Sequence, residues 1–381
     1  MILLITYTEL ERWIITLLLR IYLPLRHNFS AYRMSKKKII FLVGSPNQTS
    51  QMHQISSFLS DEYDCYFSQI FANHFMIRTT VKLGLLDHTV MAGEFKVKAD
   101  HYLKKNNLKN DYCAAVYNNR YDLVVACTDM IVPKVFRGVK TIWVQEGMID
   151  ELTIVAKITK FFKLPRYLAL GTSLNGSSNL CDIYCAASEG YKRHISRMGT
   201  EASKIVVTGI PNFDNLAENR NNDFPHKDFV LVATSDIREC FRYDNRPAFI
   251  REAVQIANGR KLIFKLHPNE KMDRAVQEIR DNAPADTLIL TEGNINHMIA
   301  NCSELITQFS TVVYVGIILG KKVHSYFDLA ELNRLVPIQT EGNSARMIAD
   351  VCKGYVEFNG DGSAFLKQHS SLNTFSLATA S

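Results

Sequence analysis

Two short stretches hold residue types suited to gripping an anion. In Lys265-Leu266-His267-Pro268-Asn269-Glu270, a cation and an imidazole flank a single leucine. The run 261–266 reads as a buried strand, and alternation along a strand sends Lys265 and His267 to the same side. Pro268 then stops the strand and shapes the turn. A lysine and a histidine at a strand end suit a phosphate; the plainer reading is a surface strand end with a capping histidine. The second stretch is Gln308-Phe309-Ser310-Thr311, between the apolar strand 304–307 and the apolar run 312–319. Ser310 and Thr311 are placed to open a helix, whose free N–H groups and dipole favour an anion. An ordinary helix cap is the plainer reading here. Thr234 and Ser235, which follow the strand 229–233, join the same nucleotide- or phosphate-binding set.

Two carboxylates end strands elsewhere in the chain. Asp129 follows the apolar run 121–127, and Glu146 follows 140–144. Either could act as general base on a hydroxyl. Each could also be a solvated strand-end acid, and Asp129 a helix cap. Gly147 favours Glu146, because it lets a ligand approach the backbone. Ser45, Gly209, Asn212 and Glu270 occupy other strand-end turns and are expected to line a cleft.

Other chemistries find little support. The glycine fingerprint of dinucleotide sites, the Walker A loop and the H-E-x-x-H motif do not occur. The eight cysteines follow no zinc or disulfide spacing, so no metal is expected and the thiols read as reduced and cytosolic. A formal charge of +6 without a Lys/Arg stripe argues against nucleic acid and suits an anionic ligand or an anionic membrane surface.

These residues need a scaffold that brings strand ends together. Short apolar runs at 39–43, 121–127, 140–144, 181–185 and 204–208 alternate with helix-like stretches. The pattern restarts at 229–233, 261–266, 287–290 and 304–307. This implies βαβ units and parallel sheets, whose ligands bind beyond the carboxyl ends of the strands. At 381 residues the chain suits two domains. The polar stretch 218–228 is the expected linker between a lobe at 34–217 and a lobe at 229–358, and 359–381 reads as a flexible tail or a poorly defined terminal helix. Residues 1–33 have two readings. The run 13–19 is too short to span a bilayer, so the segment is either an interfacial amphipathic helix or an extension ahead of a start at Met34.

Taken in order, Asp122-Leu123-Val124-Val125, Trp143-Val144-Gln145-Glu146-Gly147, Cys181-Asp182-Ile183-Tyr184 with Ser188-Glu189, Val207-Thr208-Gly209-Ile210-Pro211-Asn212, Lys265-Leu266-His267-Pro268 and Ser310-Thr311 with Gly320-Lys321-Lys322 resemble the glycosyltransferase-B superfamily. The resemblance covers about residues 39–327. It is nearest the branch of UDP-N-acetylglucosamine 2-epimerases, capsule and teichoic-acid transferases and CDP-glycerol glycerophosphotransferases. It implies two Rossmann-like lobes facing a cleft, with acceptor in the first and nucleotide in the second.

The departures bear on the reaction. Epimerases of this type carry a His-Arg pair where this chain has Thr234-Ser235-Asp236, and a Glu after the Ser-Gly-Gly turn where it has only Val312, Val313, Tyr314 and Val315. The phosphotransferases carry His-Gly where this chain has Glu146-Gly147, so Glu146 would replace histidine as base. The resemblance therefore implies a metal-independent glycosyltransferase with no cofactor. Its donor would be a UDP- or CMP/CDP-linked sugar and its acceptor a glycan or lipid-linked sugar of surface polysaccharide synthesis. The expected location is cytoplasmic, with peripheral contact at the inner membrane face. A CDP-alditol phosphotransferase, an epimerase-like enzyme and a non-catalytic nucleotide-sugar binder are the alternatives; the oligomeric state stays open.

Overall fold

The structure, a computed structural model, describes residues 36–71, 75–84, 86, 90–112, 120–136, 138–149, 153–169, 173–239 and 243–369. The readings of 1–33 and of the tail beyond 369 lie outside these residues. One compact unit begins at Lys38.

Two parallel sheets carry the architecture. The first comprises β1 (Lys38–Val43), β2 (Asp64–Gln69), β3 (Leu123–Ala126), β4 (Lys140–Val144), β5 (Ile183–Ala186) and β6 (Ile205–Val207), in the order β2-β1-β3-β4-β5-β6. The second comprises β7 (Val230–Ala233), β8 (Leu262–Lys265), β9 (Leu288–Leu290), β10 (Glu304–Thr307) and β11 (Lys322–His324), in the order β11-β10-β7-β8-β9. Apart from the edge strands β2 and β11, the strands are short and largely apolar, as strands covered on both faces must be. Strand order reverses between β1 and β3 in one sheet and between β7 and β10 in the other. Crevices open at such switch points. The turn at Ser45 borders the first, and the turns at Thr234 and Gln308 border the second.

Side-chain alternation divides the first sheet into two cores. Ile39, Phe41, Val43, Val125, Ile142 and Cys185 face one way. Ile40, Leu42, Val124, Trp143 and Tyr184 face the other, into a core that continues through Leu231, Ile263 and Leu305 of the second sheet. The two lobes therefore share apolar packing. The remaining face of the second sheet packs Val232, Phe264 and Ile306 against α6 (Arg246–Ala257) and α7 (Met272–Asn282).

Helices in chain order complete the unit: α1 (Pro46–Ser57), α2 (Phe75–Lys82), α3 (Gly93–Lys105), α4 (Ile154–Phe161), α5 (Glu189–Met198), then α6 and α7, α8 (Ile295–Asn301), α9 (Val312–Ile318), α10 (Leu329–Leu335), α11 (Ser344–Glu357) and α12 (Gly362–Gln368). Within the expected linker, residues 221–228 carry neither helix nor strand.

The C-terminal end departs from expectation. α11 and α12 do not belong to the second lobe, and residues 362–368 are a helix rather than a flexible tail. Ile348, Val351, Cys352, Tyr355, Phe365 and Leu366 pack against Ile39, Phe41 and Ile183 of the first sheet. Lys140 Nζ donates to the Tyr355 carbonyl at 2.8 Å. The physical reason is the apolar stripe of α11, which the first sheet leaves room to bury.

Candidate functional site

The turn after β4 is built before it is functional. Gln145, buried, donates from Nε2 to the Gly147 carbonyl at 2.8 Å and accepts from Ala187 N–H at 2.9 Å. Gln51 of α1 donates to the Gln145 carbonyl at 2.9 Å. These bonds fix the backbone on which Glu146 stands. The Glu146 side chain receives Ser45 Oγ on one oxygen at 2.7 Å and Gln48 Nε2 on the other at 2.7 Å. Ser45 is also the N-cap of α1 and accepts from Gln48 N–H at 3.1 Å. One capping box thus orients the carboxylate.

Glu146 remains partly open to solvent. Burial of its oxygens pushes its pKa above the usual carboxylate range, opposed by the bonds from Gln48 and Ser45. Raised basicity, fixed orientation and access are what a general base requires. The sequence missed Gln48 and Gln145, which read as ordinary polar residues; only the Ser-x-x-Gln spacing at 45–48 marks the cap.

Asp129 has a different job. Arg166 Nη2 lies 3.2 Å from both carboxylate oxygens, and Gly176 N–H and Ser178 N–H donate to them at 2.9 Å each. The Asp129 side chain is fully buried. It pins the 166–178 segment to the end of β3 and has no open face for a substrate proton, which corrects its expected role as a base.

In the second lobe the expected phosphate wall divides into a surface and a foundation. Lys265 is buried, and its ammonium donates to the Leu266 carbonyl at 2.8 Å and the Thr291 carbonyl at 3.0 Å. Burial also lowers its pKa. It braces β8 against the segment after β9 rather than standing beside His267. Glu270 is buried too, paired with Arg246 at 3.0 Å and accepting from His267 N–H at 3.0 Å and from the Thr234 hydroxyl. Arg246 donates to Asp244 at 2.9 Å and to the Ser235 carbonyl at 2.9 Å, and Gln308 Nε2 donates to Asp244 at 2.8 Å. Thr234, Ser235, Gln308 and Glu270 thus form a buried network centred on Arg246. Sequence reasoning overlooked Arg246 and Asp244, because nothing in Tyr243-Asp244-Asn245-Arg246-Pro247 separates a buried arginine from a solvated one.

Three of the expected residues reach the surface of this wall. His267 is partly exposed, and its Nδ1 accepts from Asn269 N–H at 3.2 Å. In the neutral ring that leaves Nε2 as the donor. Ser310 is partly exposed and Thr311 exposed. Thr311 is the N-cap position of α9, but its side chain makes no capping bond.

The lobes meet at these turns. A methyl group placed on Gly147 would contact Thr311 Cγ2 at 3.4 Å. Nearby, the Tyr191 and Tyr314 hydroxyls, one from α5 and one from α9, lie 2.8 Å apart. Of the other expected cleft residues, Asn212 lines a separate cavity with Asp214, Asn296 and His297, and Gly209 is packed away. Gly209, at φ +78°, is where the start of α11 packs, since a side chain there would strike Ser344 Oγ. Asn212 donates to the Asn47 carbonyl at 2.8 Å and accepts from Gln54 at 3.0 Å, tying the turn after β6 to α1.

No protein-family model matches this chain, and no curated protein matches its sequence. Solved structures do match. A Listeria monocytogenes protein assigned as a UDP-N-acetylglucosamine 2-epimerase aligns at TM-score 0.55 and 12% identity, over 86% of this chain and 98% of its own. The fold is glycosyltransferase-B. HepE of Anabaena, solved with UDP and glucose, aligns at TM-score 0.46 and 14% identity over 89% of this chain and 98% of its own. The wall teichoic acid polymerase TagF aligns at 0.45 and 10% over 84% and 89%. In glycosyltransferase-B terms, Glu146 stands at the mouth of the first Rossmann-like lobe, and His267, Ser310 and Thr311 at the mouth of the second.

Proposed function

We propose that this protein is a glycosyltransferase that moves a sugar from a nucleotide-activated donor to a hydroxyl of a glycan or lipid-linked acceptor. One observation carries the reading: a carboxylate of raised pKa, held by Ser45 and Gln48, stands next to Gly147, against which Thr311 of the second lobe packs. Glu146 takes the proton of the acceptor hydroxyl as that oxygen attacks the anomeric carbon. The bond from that carbon to the donor's diphosphate breaks, and charge develops on the leaving phosphate. His267 Nε2–H and the Ser310 and Thr311 hydroxyls donate to that charge, an electrostatic contribution of the kind that dominates many enzymes. The Arg246 network beneath holds the wall still and does not touch substrate.

The experiment pairs binding with turnover. Thermal shifts with UDP, CDP, CMP and GDP identify the nucleotide, and the corresponding nucleotide sugar is then the donor in transfer assays. Glu146→Gln is expected to lower turnover by about 10²–10⁴ while leaving nucleotide binding intact. Wild-type activity should fall as pH drops through the raised pKa of Glu146, because the base is then protonated, and the variant should lose that acid limb. An unchanged rate in Glu146→Gln rules out this assignment. Transfer of an alditol phosphate from a CDP carrier would instead move the reading to phosphotransfer.

A further inference from the structure

Helix α4 wears its apolar residues on the outside. Its buried face is small: Ala156 and Thr159, with Ala156 seated among Ala169, Leu174 and Met130. Ile154 and Phe161 are 76% and 80% exposed, and Val155 and Ile158 are exposed between them. Phe162, Leu164 and Leu168 continue the exposed apolar surface beyond the helix. Contiguous apolar patches of this kind on a soluble surface mark interaction sites.

The patch is not a frayed loop. Thr153 caps α4 by accepting from Ala156 N–H at 3.1 Å. Lys160 Nζ is tied to the Met198 carbonyl at the end of α5. Arg166 is clamped on the buried Asp129. The charge on the patch has one sign: residues 153–169 contain Lys157, Lys160, Lys163 and Arg166 and neither Asp nor Glu. Lys157 and Lys163 are exposed among the apolar side chains.

We propose that α4 and the segment through Leu168 dock this protein on an anionic lipid bilayer. Large aliphatic and aromatic side chains interleaved with lysines match the boundary between acyl chains and acidic headgroups. A helix of 8 residues can lie in that boundary and cannot cross it. Among the described residues no helix is long and apolar enough to span a membrane. The docking does not depend on the reaction proposed above. It gives the Asp129–Arg166 pair a purpose, since that pair joins the patch to the strand end beside β4 and holds the first lobe's turns in a fixed relation to the lipid surface.

The full chain, mixed with vesicles of phosphatidylcholine alone or with added phosphatidylglycerol, is expected to co-sediment only with the anionic vesicles, and less as salt rises. Ile158→Glu with Phe161→Glu should weaken binding by about tenfold or more, as loss of apolar burial implies. Lys157→Glu with Lys163→Glu should abolish the preference for anionic lipid. All four side chains are exposed, so the unfolding midpoint should not move. Three results overturn the proposal: no sedimentation with anionic vesicles, undiminished binding by the Ile158/Phe161 variant, or a dimer by light scattering that this variant splits. The second would point to residues 1–33, and the third to a second copy covering the patch.

Discussion

Asp129 and Glu146 look alike in the sequence and differ in every physical respect. Both follow a buried strand, and only the glycine after Glu146 separates them in the sequence. Their surroundings do so in the structure: three donors enclose Asp129, whereas Glu146 accepts two side-chain bonds and stays partly open to solvent. Enclosure reflects what the chain brings back from 37 to 49 residues away, which no local pattern encodes. Asp129→Asn is therefore expected to destabilise the fold by about 3 kcal/mol, because it leaves Arg166 unpaired and turns an amide toward backbone N–H donors. Partial exposure of Arg166, at 22%, places the cost at the lower end of the range for buried pairs. Chemical denaturation measures the loss, and the folded fraction should keep its turnover per molecule. Normal stability with abolished turnover would restore Asp129 as the base.

Elements were legible where their signal is local. Every apolar run read as a strand is a strand, because a chain covered on both faces needs continuous apolar residues. β2 escaped notice. Its sequence Asp64-Cys65-Tyr66-Phe67-Ser68-Gln69 is half polar, and the side-chain amide of the buried Gln69 donates to Asp100 of α3. Lys265 misled for a related reason: alternation places its Cβ correctly, but a flexible four-carbon stem carries the ammonium to whichever carbonyls are nearest.

Contacts between elements were invisible, and Gly190 of α5 shows why. A methyl group there would overlap the Arg334 carbonyl oxygen of α10, so the two helices pack backbone to backbone across the lobes. Helix propensity alone makes Gly190→Ala stabilising by about 1 kcal/mol. The overlap reverses the sign, and we expect a loss of about 1–3 kcal/mol as α10 is forced away. A urea titration separates the two, since a gain in stability would mean that α10 yields freely.

Across the whole molecule, the chain crosses between lobes twice at one place. Asp214, just after the first lobe's last strand, accepts Ser344 N–H at 2.7 Å and the Thr340 hydroxyl at 3.1 Å. The outgoing and returning segments are thus bonded side by side, and α11 begins at that point. The returning helices complete the first lobe's core. Ile348, Val351, Cys352, Tyr355, Val356, Phe365 and Leu366 are all buried there. At about 1.5–3 kcal/mol per large apolar side chain, their removal outweighs the roughly 5–15 kcal/mol by which a domain is stable. Residues 38–213 alone are therefore expected not to fold. Joined by a short Gly/Ser linker to residues 338–369, the same segment should unfold cooperatively on heating, because the Asp214 contacts show that the two ends already lie together. Circular dichroism melts of the two proteins decide the matter: a cooperative transition in residues 38–213 alone would make α11 and α12 a dispensable cover, and the first lobe a domain in its own right.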